Sequence, residues 1–208
     1  MKNAKAVQKE SCEMMEGKWC IISGATSGVG LETVRRFAKA QANIVMVCRD
    51  RMKAQQVQEE IESNYGVKIT YVLADFANLG EVRRAAQEVL NIVPRIDVLV
   101  NSVGIYATKK EYNADGLEKV FVVNHLSVFL FTYLLLDKLK MSAPARIIQV
   151  NSEGHRFNGL KIKDLGFRRR IYTGLRSYGQ SKTAQLLTVW EFAERLRGSG
   201  VTINAMHP

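Results

Sequence analysis

With 208 residues, 47% of them hydrophobic and 24% charged, the chain has the material for one sizeable α/β core, two small domains being the rival division, and is not a disordered polypeptide. Only 3 Pro and 15 Gly exclude a collagen-like or Pro-rich architecture, and three cysteines (Cys12, Cys20, Cys48), odd in number and without C-x-x-C spacing, argue against a disulfide framework or structural zinc site and for a reducing compartment. The 30 Lys+Arg against 20 Asp+Glu give a formal charge of +10, a sign that suits phosphate-bearing cofactors, anionic membranes or nucleic acid.

Residues 1–16 form a polar extension without the apolar stretch of a secretory signal. Trp19–Ile22 then reads as a buried first strand stopped at Gly24, and Leu31–Ala40 as a helix with Leu31, Val34, Phe37 and Ala38 on its apolar face. Asn43–Cys48 is a second strand, and Asp50 is placed to cap a helix that runs to Tyr65 and ends at Gly66. Lys68–Leu73 gives a third strand, Leu79–Val93 a third helix and Ile96–Val100 a fourth strand. A long helix is expected over Asp115–Leu139. Its most apolar run, Val120–Leu136, is interrupted by Asn124 and His125 and closed by Asp137, so a buried helix fits better than a membrane span, which needs roughly 20 mostly apolar residues. Arg146–Val150 is the fifth strand. The densest basic stretch follows, Lys161–Arg176 with Arg168, Arg169 and Arg170, but no basic stripe interleaved with aromatics and no zinc-finger or RNP pattern accompanies it. A solvated surface is the better reading, and no nucleic-acid partner is expected. Ser177–Leu196 is the next helix and Val201–Ala205 the sixth strand.

Continuous apolar strands alternating with helices predict a doubly wound, Rossmann-like parallel sheet, α/β in class, with six strands visible and its ligand crevice at the strands' carboxyl ends. The unusual residues fall at those ends: Gly24–Gly30 after strand one, Arg49 after two, Asp75 after three, Asn101 after four and Ser152 after five.

Ser23-Gly24-Ala25-Thr26-Ser27-Gly28-Val29-Gly30 opens a helix directly after a strand. Glycines there permit a tight turn and close backbone approach to a pyrophosphate, and free N–H groups at the helix start attract the anion. The spacing is G-x-x-x-G-x-G, and a plain glycine turn is the alternative. Arg49 stands where an acidic residue would accept hydrogen bonds from the ribose 2′-hydroxyl of NAD; a guanidinium complements the 2′-phosphate of NADP instead. NADP(H) is therefore expected ahead of NAD(H), with Asp50 assigned to helix capping and a plain surface charge the other reading of Arg49.

Tyr178 and Lys182 lie one helical turn apart and share a face. A free phenol titrates near pH 10, and an ammonium beside it stabilises the phenolate, so the pair suits proton exchange with an alcohol or carbonyl oxygen while hydride moves to or from a cofactor. A packed Tyr beside a solvated Lys is the common alternative. Ser152 supplies a hydroxyl for the reacting oxygen, or a backbone-satisfying strand end. Asn124 is either a satisfied core amide or the anchor of a proton relay. His125, His155 and His207 lack the companions a metal site needs, and no metal is expected.

On these residues the chain resembles the short-chain dehydrogenase/reductase family, from about Gly17 to its last residue. Ser23–Gly30 is similar to T-G-x-x-x-G-x-G, Asn101-Ser102-Val103-Gly104 to N-N-A-G, and Tyr178–Lys182 to Y-x-x-x-K, while Ser152 and Asn124 fall where the family's catalytic Ser and Asn do. Cys48-Arg49-Asp50, Val123-Asn124-His125-Leu126, Ser142-Ala143-Pro144-Ala145-Arg146 and Tyr178–Lys182 look most like the retinol-dehydrogenase-like branch, with the WW-domain-containing oxidoreductase also similar.

The resemblance implies that Gly24, Thr26, Ser27, Gly28, Val29, Gly30, Arg49, Asp75, Asn101 and Gly104 bind cofactor together with Tyr178 and Lys182. Asp75 is then expected near the adenine, Asn101 near a ribose and Lys182 on the nicotinamide ribose hydroxyls. Tyr178, Lys182, Ser152 and Asn124 would be catalytic, acting on a lipophilic alcohol or carbonyl such as a retinoid, steroid or aldehyde. Two departures stand out. Ser102-Val103 replaces Asn-Ala, and the chain stops at His207-Pro208 where the family continues with a segment over the nicotinamide and a seventh strand. Residues 17–208 are thus expected to be a dinucleotide-binding domain incomplete at its C-terminus, with strand six at an exposed edge. The alternative function is a catalytically impaired nucleotide-binding or protein-interaction form. A homodimer through the two apolar helices, peripheral membrane contact, and a location in the cytoplasm or on the cytosolic side of a membrane complete the expectations.

Overall fold

Six strands among the described residues, β1 (Trp19–Ser23), β2 (Asn43–Cys48), β3 (Ile69–Leu73), β4 (Val98–Asn101), β5 (Ala145–Val150) and β6 (Val201–Met206), pair in parallel in the order β3-β2-β1-β4-β5-β6. The computed structural model describes residues 14–208; Cys12 and residues 1–13 of the expected extension lie outside them. Parallel neighbours need crossovers. Helices α1 (Gly28–Lys39), α2 (Arg51–Tyr65) and α3 (Leu79–Ile92) supply the early ones. A helical segment from Lys119 to Met141 follows β4, and α6 (Gly174–Arg195) leads to β6 at the sheet's edge.

Strand alternation divides the apolar residues between two cores. Ile21, Val45, Val47, Leu99 and Ile147 pack with Val82 and Val89 of α3 and with Phe131, Leu135 and Phe192 from the later helices. On the opposite face Cys20, Ile22, Ile44, Met46 and Val100 meet Val34 and Ala38 of α1 and Val57 and Ile61 of α2. This is the doubly wound sheet the sequence predicts.

Where local chemistry is strong, element bounds agree with the sequence. Asp50 accepts a hydrogen bond from the Lys53 N–H at 3.1 Å and starts α2, and Gly66, at φ +65°, ends it. The long helix departs from expectation. It starts not at Asp115 but at Lys119, because Asn113 Oδ1 accepts from the N–H groups of Asp115 and Leu117 and closes a turn there. The Glu118 carboxylate then caps the short α4 (Lys119–Phe121) by accepting from Val120 N and Phe121 N. A π-helical turn, Val122–Leu126, joins α4 to α5 (Ser127–Met141). By length and composition Lys119–Met141 is apolar enough to cross a membrane, yet 61% of its most apolar window is buried inside the fold. Thr173, accepting from Arg176 N, starts α6 three residues before the expected Ser177.

Candidate active site

The strand order reverses about β1, whose neighbours β2 and β4 lead away in opposite directions, and a crevice opens at the carboxyl ends there. It holds about 790 Å³, within the range of small-molecule sites. Gly24, Thr26, Ser27, Gly28, Val29, Arg49, Asp75, Gly104, Ser152, Tyr178 and Lys182 all line it. Residues far apart in the chain thus share one cleft. Gly30, Asn101 and Asn124 are absent from its lining.

The glycine turn works by close approach. Gly24 sits at φ +69°, and a Cβ there would come within 2.8 Å of the Val103 backbone. A Cβ on Gly30 would strike the Gly24 carbonyl oxygen, so Gly30 lets α1 start tight against the turn rather than lining the crevice. Ser27 precedes α1 and caps it with no side-chain hydrogen bond. The first-turn N–H groups of Gly28 and Val29, which no carbonyl within the helix can reach, therefore remain for a ligand at the cleft wall.

Across the cleft, Arg49 is exposed and forms no ion pair among the described residues, while the adjacent Asp50 is engaged in capping α2. Lys53, one turn into α2, lines the same wall, a second cation that the sequence reading missed although its i+3 spacing from Asp50 marks the face. Asp75 lines the cleft with Oδ1 accepting from Ala77 N at 2.9 Å.

Asn101 lies elsewhere. As the last residue of β4 it shares the face of Leu99, is fully buried, and donates from Nδ2 to Thr132 Oγ1 of α5 at 2.9 Å. Its side chain ties the sheet to α5. The Asn124 side-chain amide is hydrogen-bonded within the core. Its Oδ1 accepts from Ile105 N at 2.8 Å, and its Nδ2 donates to Ile105 O and Ser181 Oγ, each at 3.0 Å. The amide clamps the loop after β4 to α6. His125 beside it is held neutral by burial, its pKa pushed down to about 4.

Tyr178 and Lys182 project from α6 on one face, with the Lys182 Nζ 5.6 Å from the centroid of the tyrosine ring. Nζ donates to the Val150 carbonyl at 2.8 Å and to Gln185 Oε1 at 3.4 Å. Burial without a carboxylate partner pushes the lysine down from 10.5 to about 8. The Ser152 hydroxyl accepts from Gly154 N at 3.2 Å and is half-buried. Gly154, missed in the sequence, lets these groups converge: a Cβ there would lie 3.0 Å from the Tyr178 ring and 3.5 Å from Ser152 Oγ. Tyr106, also missed, meets the Tyr178 ring edge-on with centroids 5.7 Å apart and forms the cleft's outer wall. A loop aromatic carries no periodic signal that would have exposed it.

These residues fit a nicotinamide dinucleotide. The cleft has room for it, N–H groups and a glycine cradle stand at one end, two cations flank the side wall, and a phenol, an ammonium and a hydroxyl meet at the other end.

The short chain dehydrogenase family model matches residues 18–208. Human retinol dehydrogenase 13 is 39% identical over 195 residues, covering 92% of this chain and 58% of that protein. The chain thus spans about three-fifths of the length of the curated relatives it matches. Among solved structures, an uncharacterized protein from Mycobacterium Paratuberculosis superposes with a TM-score of 0.82 at 32% identity, covering 94% of this chain and 69% of the other. Pseudomonas aeruginosa RhlG, solved as an NADP active-site complex, gives 0.77 at 26% identity, covering 94% and 73%. With the matching family model spanning nearly its whole length and retinol dehydrogenases among its relatives, the chain belongs to the short chain dehydrogenase family, on its retinol-dehydrogenase-like branch.

Proposed function

We propose that the protein is an NADP(H)-dependent oxidoreductase that interconverts an alcohol and a carbonyl on a lipophilic substrate of the retinoid, steroid or aldehyde class. The observation that carries this reading is the meeting of Tyr178, Lys182 and Ser152 in the cleft that also holds the glycine turn.

When bound, the reduced nicotinamide supplies hydride to a carbonyl carbon and the oxidised form takes it from an alcohol. The Tyr178 hydroxyl gives a proton to the carbonyl oxygen in the reducing direction and takes it from the alcohol in the other. The Lys182 ammonium, held against the Val150 carbonyl at 2.8 Å, offsets the charge on the phenolate and presents its remaining N–H to a ribose hydroxyl. The Ser152 hydroxyl turns from Gly154 to donate to the substrate oxygen as charge develops on it. Val103, Ile105, Tyr106 and Val123 give the cleft an apolar wall that supports a lipophilic substrate. The homodimer reading draws on Phe129, Tyr133 and Trp190, exposed along the outer faces of α5 and α6.

NADPH oxidation with decanal, retinal and a steroid ketone as probes tests the reaction: turnover of any of the three is expected, and NADPH binding without turnover of any overturns it. The choice of cofactor is tested by titration calorimetry of Arg49→Ala. A lost charge-assisted bond to the 2′-phosphate weakens NADPH by about tenfold to a hundredfold and leaves NADH within about twofold. Equal effects on the two nucleotides would remove Arg49 as the discriminating residue.

A further inference from the structure

Two buried amides behind the cleft have no part in the reaction as described, yet they touch every residue assigned to it except Tyr178. Asn151, at 6% exposure, accepts from the Ser152 N–H at 2.7 Å through Oδ1. Its Nδ2 donates to the Lys182 carbonyl at 3.0 Å and to Gln185 Oε1 at 3.1 Å. Gln185, at 2% exposure, donates from Nε2 to the Asn124 carbonyl at 3.2 Å. Its Oε1 also accepts from Lys182 Nζ at 3.4 Å. Both lone pairs of that oxygen are thereby used, and the reverse orientation of the amide would set an NH₂ group against the ammonium.

We propose that Asn151 and Gln185 are positioning residues for the reaction, a buried amide couple that fixes Lys182, the Ser152 backbone and the π-helical turn in one geometry and sustains the charge on Lys182 through Gln185 Oε1. The proposal rests on the oxidoreductase reading for its purpose, though not for its test. An ammonium has three donors. The Val150 carbonyl and Gln185 Oε1 take two and leave a single N–H for the cleft that Lys182 lines. Burial already works against this charge, so each of the two acceptors carries a large share of its support.

The surrounding titratable groups do not supply it. Tyr178 is the one whose ring faces Nζ on α6 itself. On the 3₁₀ turn after β5, Glu153 is paired with Arg156 and His207, and His155 Nδ1 lies 2.7 Å from the Ser152 carbonyl. On the π-helical turn His125 is neutral, and on the loop after β4 Tyr106 lies edge-on to Tyr178.

The test is a pH titration of Lys182 in the full chain by NMR of ¹³C-ε-labelled lysine, with the signal assigned by Lys182→Arg and folding checked by thermal melting. Gln185→Met keeps the length of the side chain and removes the acceptor, and the Lys182 midpoint is expected to fall by about one unit, a tenfold shift toward the neutral amine. Gln185→Glu places a carboxylate oxygen there, and the midpoint is expected to rise above that of the wild type. An unchanged midpoint in folded Gln185→Met overturns the proposal. If that variant does not fold, Gln185→Glu decides alone, and no rise overturns it. NADPH binding without turnover of decanal, retinal or the steroid ketone would instead remove the oxidoreductase reading and leave the titration result standing.

Discussion

Replacing Tyr178 with phenylalanine lowers turnover by about a thousandfold and leaves NADPH affinity within about twofold. The size follows from the single atom removed. A positioned acid or base contributes about 10²–10⁴-fold, and the Tyr178 ring is the one the described residues place against the Lys182 ammonium. The ring itself stays, still edge-on to Tyr106 and in contact range of Gly154, so the wall of the cleft keeps its shape. Binding energy drawn from the glycine turn and from Arg49 lies elsewhere in the crevice and is untouched. A kinetic split of this kind, kcat lost and nucleotide Kd kept, separates proton transfer from assembly of the site.

Lys182→Met should lose turnover by about a hundredfold or more and at the same time become more tolerant of neutral pH than the wild type is. The folded lysine titrates at about 8 against an ordinary 10.5. A cation whose pKa is depressed by folding opposes folding at every pH below the folded value, and that opposition disappears as pH rises from about 8 toward 10.5. The wild type therefore gains about 3 kcal/mol from this residue between pH 7 and pH 10.5, and methionine, similar in length and uncharged, gains none. Leaving the Val150 carbonyl and Gln185 Oε1 without their donor shifts the variant's stability at all pH values alike and does not alter the difference. Urea unfolding of both proteins at pH 7 and pH 10.5 measures it. Equal pH dependence in the two would mean that the ammonium is not desolvated. A charge kept where it opposes folding is the stability cost a working site carries.

Much of this architecture was legible because the signals were local. The Asp50 cap and the Gly66 terminus delimit α2 in sequence and structure alike, and the apolar run Asn43–Cys48 could only be a buried strand. The glycine turn, Tyr178, Lys182 and Ser152 were found because strand ends and helical spacing bring them to one edge of the sheet. What escaped was set by direction and by tertiary contact. The Asn101 side chain turns toward Thr132 on the face of Leu99, a direction set by strand parity that a place at a strand end does not report. The Ile105 backbone that holds the Asn124 side chain is adjacent to it only in the fold. The turn that delays α4 to Lys119 depends on the Asn113 side chain, which no hydrophobic period reports. Gln185 had a signal that went unread: it lies three residues beyond Lys182 and seven beyond Tyr178, on their face of α6.

The central claim is that Tyr178, Lys182 and Ser152 act together on a carbonyl brought beside the cofactor. The most direct measurement is mass spectrometry of the alcohol formed when this chain is incubated with decanal and NADPH dideuterated at C4 of the nicotinamide. The account predicts one deuterium on the carbinol carbon of decanol, and its loss in Tyr178→Phe. Deuterium-free decanol, or no reduced product from decanal, retinal or the steroid ketone while NADPH is bound, would contradict it.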